Sequence, residues 1–433
     1  MQNTNKEIKL AHLLKSIPGF IVLMLCWSFA TPIFEGPDEI LHWQFAQFLH
    51  KNKTLPVYQP GFGEANSPPL YYFLISPVAS ETETPPFYIG KDGIGAVRSQ
   101  DGIIHPRAYQ VFQNKNSDFK KYWPIRIARI ITILISIITI LGCFLAGKEA
   151  TGKASTGIIT ASFAALLPQF TFRCSHISND SLVTALSGLT LFLLIIIHKR
   201  GFSWKHSIFL VCSISLAFLT KISAIIFIVP FIWVNFAYKE STAIKLKRIL
   251  ILTLLGLTIV SPWLIRNKFL YDDILAISQA EKAVPTIIRH KEITSEYFYT
   301  QFPALTYRSF IGTFGWMNIN LPEWFYKAYL IIFIFALLGL LFNFRKSYAD
   351  SLLLGILSSI IVLAFLLLIK INLMFNQPQG RYLFPALPAF ALLIAVGFES
   401  LPFWRVSLTG IFISILFLLN IYALVFVQIP YYW

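Results

Sequence analysis

The feature that most limits what this chain can become is a succession of apolar runs, each close to the roughly 20 residues a helix needs to cross about 30 Å of hydrocarbon. They fall near residues 17–34, 122–145, 153–172, 181–198, 206–220, 222–238, 249–266, 326–343, 351–370, 382–399 and 406–428, about eleven spans in all. The expected fold class is therefore an all-α polytopic membrane protein, with residues 1–433 as a single membrane domain. A chain that is 56% hydrophobic and only 13% charged is too apolar for a soluble protein of this length. The fifth and sixth runs are separated only by Lys221, so they form a tight helical hairpin or one long broken segment. The first run follows Lys6, Lys9 and Lys15 but lacks an A-x-A-like cleavage site, and it reads as a retained first helix rather than a signal peptide.

The net charge of +15 raises nucleic acid as a partner, but the basic residues lie largely in short loops between apolar runs. Orientation in a membrane explains them, and nucleic-acid binding is not expected. With the amino terminus in the cytoplasm, the loops GKEATGK, HKRGFSWKH, YKESTAIKLKR and NFRKSYAD all fall on the cytoplasmic side, as the positive-inside rule requires. Two large loops, 34–122 and 267–325, then lie outside, together with 173–180 and 372–381 and most of the acidic residues. The first is long enough for surface helices and a small cap; its middle, from Glu81 to Lys121, lacks periodicity and reads as an excursion over the surface. Cys26, Cys143, Cys174 and Cys212 fall mostly within or beside apolar runs and show no metal-type spacing. No internal repeat of fixed period is present, which argues against transporter folds built from two similar halves.

Directly after the first span comes FEGPDEILHWQFAQFLHKN, with the adjacent acids Asp38 and Glu39. Pro37 suits a first helical position, the helix dipole favours both carboxylates, and an amphipathic helix over 37–52 is expected on the outer membrane surface. Its apolar face would carry Leu41, Phe45, Phe48 and Leu49, while Asp38 and His42 share another face by their spacing of four. Taken alone, the two acids read as helix caps. Three isolated cations at the outer ends of spans weigh against that: Lys221, Arg266 in SPWLIRN, and Arg381 in NQPQGRYLFPALP. Each could snorkel, since a cation at a helix centre costs about 2.5–3.5 kcal/mol. Orientation, however, favours cations on the other side, so an anion at the outer leaflet, such as a lipid phosphate, explains the set better.

Arg173, Asn179 and Asp180 in FRCSHISND form a further polar cluster, which a helix cap would equally produce. The tracts NSPPLYYFLISP, with Tyr71, and SFIGTFGWMNINLPEW offer the kind of aromatic surface that stacks on sugar rings; interfacial aromatic belts would look the same.

In order along the chain, PIFEGPDE, SPPLYY, LPQF…SND, FLTKIS, SPWLIRN, FGWMN…LP and QGRYLFPALP resemble the GT-C type membrane glycosyltransferases. The likeness is to the bacterial proteins related to protein O-mannosyltransferases and the lipid A aminoarabinose transferase, in a branch with little assigned biochemistry. It runs from about residue 15 to 400. The resemblance implies inverting transfer of a sugar from a polyprenyl-phosphate donor to a glycan, lipid or protein acceptor, at the outer face of the bacterial cytoplasmic membrane. It implies Asp38 as general base, with Glu39 beside it in the chemistry, and Lys221, Arg381 and Arg266 as donor-phosphate ligands. His42, Asn179, Asp180, Tyr71 and Tyr382 would bind substrate. No cofactor is called for by the sequence, and a divalent cation is left open. The competing readings are a flippase or transporter of lipid-linked sugars, which needs the cations but no base, and a polymerase or ligase of lipid-linked glycans.

Overall fold

The computed structural model describes residues 10–58, 64–82, 122–237, 239–279, 291–346 and 351–433. Most of the stretch read as a surface excursion, from 83 to 121, lies outside them. The described residues are helical almost throughout. In order come α1 (Leu10–Ala30), α2 (Glu39–Asn52), α3 (Leu70–Ile75), α4 (Trp123–Thr151), α5 (Ala154–Leu166), α6 (Pro168–Cys174), α7 (Asn179–Arg200), α8 (Trp204–Phe218) and α9 (Ile228–Phe236). They are followed by α10 (Thr242–Tyr271), α11 (Gln301–Ile311), α12 (Glu323–Lys346), α13 (Ser351–Met374), α14 (Leu387–Ser400) and α15 (Val406–Tyr422). The sole sheet among the described residues is a two-stranded antiparallel pair, β1 (Thr313–Phe314) and β2 (Ile319–Asn320), closing the turn between α11 and α12.

Seven helical stretches among the described residues are long and apolar enough to cross a membrane. The remaining four expected spans coincide with shorter apolar helices: Ser16–Ala30, Ala154–Leu166, Trp204–Phe218 and Ile222–Phe236. Burial separates inner from outer helices. The apolar window of α7 is 72% buried whereas that of α10 is 17% buried, so α7 is enclosed by protein and α10 offers its apolar surface outward, as a lipid-facing helix must. At the centre α4 and α7 approach closely, because Gly142 leaves room for the Gly188 backbone: a Cβ on Gly142 would lie 2.8 Å from the Gly188 carbonyl carbon.

Several expected spans are broken where the sequence carries Pro or a polar residue. The run 153–172 divides at Leu167, held extended (φ −66°, ψ 118°) before Pro168, which is where a residue preceding proline is driven. The runs on either side of Lys221 are likewise separate elements: α8 ends, Lys221 is extended, and a 3₁₀ turn (Ile222–Phe227) leads into α9. A second 3₁₀ turn, Gly380–Ala386, precedes α14 and carries Arg381. These breaks bring polar side chains to one end of the bundle.

The segment joining α1 to α2 departs most from expectation. The helix begins at Glu39, not Pro37; Asp38 is its N-cap residue in a left-handed conformation (φ 63°) and makes no side-chain cap hydrogen bond. Nor is the apolar face of α2 left for a membrane surface to cover, since Leu41, Phe45 and Leu49 are buried in protein together with Glu39, Ile40, His42, Trp43 and Ala46. The cause is a clamp from α4. Arg129, with its side chain fully buried, donates to the carbonyls of Ser28, Thr31 and Pro32 and, through Nε and Nη2, to both Glu39 carboxylate oxygens at 2.7 and 2.6 Å. Glu39 in turn accepts from the Phe34 and Ile177 amides. The clamp thereby draws the residues before α2 inward and holds two left-handed non-glycine residues, Phe34 and Asp38, in one short turn.

Removing one partner of such a pair leaves an uncompensated buried charge, at about 3–5 kcal/mol. Glu39→Ala is therefore expected to lower stability by an amount of that order, read as a large drop in the unfolding midpoint of the purified protein in detergent.

Candidate functional site

Asp38 opens onto a cavity of about 700 Å³ walled by the residues after α1, the turn before α3, α6, the Lys221 turn, the β1–β2 turn, the end of α13 and the 3₁₀ turn at Arg381. Asp38, His42, Asn179, Lys221, Arg381 and Tyr382, six of the ten residues singled out by sequence, line it. Asp180 lies just behind the wall, fully buried, and Arg173 from the same sequence cluster lines it too.

These residues form one charge network. Arg381 Nη2 lies 2.5 Å from Asp38 Oδ2, and its Nη1 lies 3.9 Å from Asp180 Oδ2. Asp180 also pairs with Lys221 at 2.5 Å and with Arg173 at 3.2 Å. Arg173 donates to Ser178 Oγ and, at 2.7 Å, to the Pro37 carbonyl, so it fixes the residue before Asp38 as well as supplying charge. Tyr382 presents its ring to Lys221 Nζ at 5.1 Å and to the Arg381 guanidinium at 5.6 Å. Two carboxylates against three cations leave the network with one positive charge in excess. Buried charges are retained only when paired, so the surplus favours an anion in the cavity.

The two carboxylates differ. Asp180, on the first turn of α7, is closed off from solvent and serves as the hub that spaces the cations. The Asp38 side chain keeps 21% of its surface exposed and faces the cavity. Burial alone would raise its pKa, but the charges of Arg381 and Arg173 more than offset this and hold the carboxyl below the usual range. It is a carboxylate at neutral pH, with Arg381 on one oxygen.

Three residues are placed elsewhere. Glu39, expected beside Asp38 in the chemistry, is absent from the cavity wall and is spent on Arg129; burial would raise its pKa, and Arg129 lowers it. Arg266, expected as a phosphate ligand, donates instead to the Leu55 and Pro56 carbonyls. Tyr71, expected to stack on a sugar, is buried with its hydroxyl between Thr132 Oγ1 and the Ser178 amide. The aromatic tract 309–324 does reach the cavity, through Trp316 and Met317.

Glu64, Gln169, Lys370 and Gln379 also line the cavity and were not singled out by sequence. Gln379 Oε1 accepts from Arg381 Nε at 2.5 Å, orienting the guanidinium. Lys370 had a readable signal, a lone cation within the apolar run 351–370. Among the described residues no three His, Cys, Asp or Glu side chains converge as metal ligands.

This architecture, apolar helices around a cavity that gathers charged side chains at the end of the first span, is that of a polytopic helical membrane protein with a GT-C-like fold. The likeness is to ArnT from Cupriavidus metallidurans bound to undecaprenyl phosphate: TM-score 0.54 and 13% identity over 94% of this chain and 64% of that one. The oligosaccharyltransferase of Archaeoglobus fulgidus, solved in complex with Zn and sulfate, matches at TM-score 0.51 and 13% identity over 93% of this chain and 52% of that one. The archaeal oligosaccharyltransferase AglB from Archaeoglobus fulgidus, in complex with an inhibitory peptide and a dolichol-phosphate, matches at TM-score 0.50 and 13% identity, with 95% of this chain and 54% of that one covered. The chain thus spans about two thirds or less of the length of these structures, and at such identity the likeness concerns the fold. Residues 119–390 match the family described as Predicted membrane protein (DUF2142), and the chain belongs to that family. No curated protein matches the sequence.

Arg381 reaches the cavity because Gly380 packs directly on α11: its amide donates to Ser309 Oγ at 2.8 Å, and a Cβ there would fall on the Phe310 backbone. Gly380→Ala is expected to cost about 1–3 kcal/mol by overpacking and to displace the Arg381 turn, checked by the unfolding midpoint in detergent.

Proposed function

We propose that the protein is an inverting glycosyltransferase that moves a sugar from a polyprenyl-phosphate donor to an acceptor at the outer face of the bacterial cytoplasmic membrane. The observation that carries this reading is the juxtaposition, on one cavity, of an ionised and partly exposed Asp38 with Arg381, Lys221 and Arg173. A flippase needs the cations but has no use for a carboxylate held at the mouth of the first span in a strained backbone.

In this reading the donor phosphate enters between Arg381 and Lys221 and competes with Asp38 for the Arg381 guanidinium. Asp38 then takes the proton of an acceptor hydroxyl as that oxygen attacks the anomeric carbon from the face opposite the phosphate. A positioned base contributes about 10²–10⁴-fold to such a step. As the bond to the phosphate breaks, its electron pair stays on the phosphate, where the fixed cations stabilise the growing charge. Asn179 and Tyr382 lie on the wall where a sugar would sit.

The test is consumption of undecaprenyl-phosphate monosaccharides by purified protein in detergent, where no second compartment exists and transport alone leaves the donor intact. Asp38→Asn is expected to fold and insert but to lose turnover by about 10²-fold or more; full activity would remove Asp38 as base.

A second prediction separates the cations. Because a hydrogen bond to a charged group is worth about 1.5–3 kcal/mol, Lys221→Gln and Arg381→Gln should each weaken binding of undecaprenyl phosphate by roughly tenfold or more. Arg266→Gln should leave that affinity unchanged, because its guanidinium is occupied at the Leu55 and Pro56 carbonyls.

A further inference from the structure

Behind Asp38 on the cavity wall stands a second line of polar groups that the reaction as described does not use. His42 is one helical turn from Asp38, and its Nδ1 lies 2.8 Å from the Tyr72 hydroxyl. Tyr72 is fully buried, stacked on Phe45 at 3.8 Å between ring centroids, and its hydroxyl donates to Glu64 Oε2 at 3.4 Å. Ser67 Oγ donates to the same Glu64 oxygen. Among the described residues Glu64 pairs with no cation, and these two hydroxyls are its side-chain donors.

The arrangement gives the triad a direction. A carboxylate only accepts, so a Tyr72 proton turned to Glu64 leaves the Tyr72 oxygen to accept from His42 Nδ1–H. The tautomer that completes the triad carries its proton on Nδ1 and leaves the lone pair of Nε2 for a proton from the cavity. Both His42 and Glu64 line the cavity. Asp38, by contrast, has one oxygen committed to Arg381.

We infer that His42 receives the acceptor's proton from Asp38 and carries it out of the reacting centre, with Tyr72 and Glu64 as positioning residues that hold its tautomer. This rests on the glycosyl-transfer reading of the cavity. The acceptor O–H bond breaks as the proton passes to the Asp38 carboxylate, and the electron pair left on oxygen forms the new glycosidic bond. The Asp38 carboxylate is not within hydrogen-bond reach of His42, so the proton crosses the shared cavity by one water: the Asp38 O–H bond breaks with its pair left on the carboxylate, the water takes that proton and gives up one of its own, and the Nε2–H bond forms. The resulting imidazolium spreads its charge through Tyr72 toward Glu64 and is later deprotonated by water. Asp38 is thereby restored as an anion beside Arg381, ready for the next acceptor.

The groups that face His42 set the pH dependence. They are the carboxylates of Asp38, Glu64 and Asp180, the Arg173 cation, and the phenols of Tyr71 and Tyr72. Burial lowers the His42 pKa, the Glu64 and Asp38 charges pull it back up, and the net direction is below the ordinary imidazole value. Since the neutral ring is the active form, turnover should rise with pH through a limb on the acid side of ordinary histidine titration and be flat above it.

The experiment has two arms. In the first, nitrogen-15 spectra of histidine-labelled protein in detergent, with His42→Gln to assign the signal, should show His42 neutral at pH 7 and protonated on Nδ1; Tyr72→Phe should convert it to a mixture of tautomers. In the second, His42→Gln should bind undecaprenyl phosphate as the wild type does, while kcat with an accepted undecaprenyl-phosphate sugar falls by about 10²-fold and the acidic limb disappears. A His42 ring protonated on Nε2, or a His42→Gln enzyme with wild-type kcat and an intact acidic limb, overturns the relay. A wild-type protein that consumes no donor sinks the transfer reading instead, and the tautomer measurement still decides the relay.

Discussion

The Arg129–Glu39 pair is the interaction on which the placement of this site depends. A guanidinium and a carboxylate with no exposed surface would be ruinous if left partly satisfied. Here Arg129 gives its protons to three backbone carbonyls as well as the carboxylate, and Glu39 takes two backbone amides in addition. Every one of those backbone groups belongs to the end of α1, the turn to α2 or the loop before α7. The pair therefore acts as a cross-link between three segments distant in sequence, made of charge rather than of covalent bonds. Within that cross-link Phe34 and Asp38 are held left-handed, conformations that ordinary residues adopt only where the surroundings over-determine them. The functional division between neighbouring acids follows: Glu39 supports, Asp38 is presented.

The charge network beyond Asp38 has the same logic at a lower level of closure. Asp180 collects Lys221, Arg173 and Arg381 around one buried carboxylate. Each cation arrives from a place where an apolar run is interrupted: Arg173 after the break at Leu167, Lys221 between α8 and its 3₁₀ turn, Arg381 in the turn before α14. A continuous transmembrane helix satisfies all its own backbone and presents side chains only sideways. A broken one frees backbone groups that must be met, and it is tolerated at membrane depth where it lines a cavity. Gln169, Gln379 and Ser309, each bonded to backbone or to Arg381, meet that need here.

The membrane class, the positions of the apolar runs and most of the cavity wall could be read from residue order, because hydrophobic length and isolated charge are strong local signals. Asp38, Lys221 and Arg381 were legible for that reason. What the residues could not reveal was which of two adjacent acids faces inward, since Asp38 and Glu39 have the same local chemistry and the distinction is made by Arg129, ninety positions away. Arg129 had a signal of its own, a cation two turns inside an apolar run, but it reads equally as snorkelling. Arg266 carried the same signal as Lys221 and Arg381, and only the chain path decides that its guanidinium meets Leu55 and Pro56. The helix expected on the membrane surface is buried because its apolar face and its polar face both find protein, which period alone does not reveal.

A carboxylate that is to act as a base must be ionised when the acceptor arrives, yet must not be held so firmly that it cannot take a proton. Arg381 secures the first condition and works against the second. In the proposed transfer the conflict is resolved if the donor itself competes for Arg381: its phosphodiester brings a second anion to the same guanidinium, so its arrival weakens the hold on Asp38 just when the electrophile is in place. In that reading Asp38 stays paired with Arg381 while no donor is bound, and no transfer follows. The network's single surplus positive charge has the right sign for this exchange, since a site balanced to neutrality would pay to admit the anion. In the proposed reaction base strength and substrate order would be set by the same ion pair, which ties the chemistry of Asp38 to the occupancy of the cavity it faces.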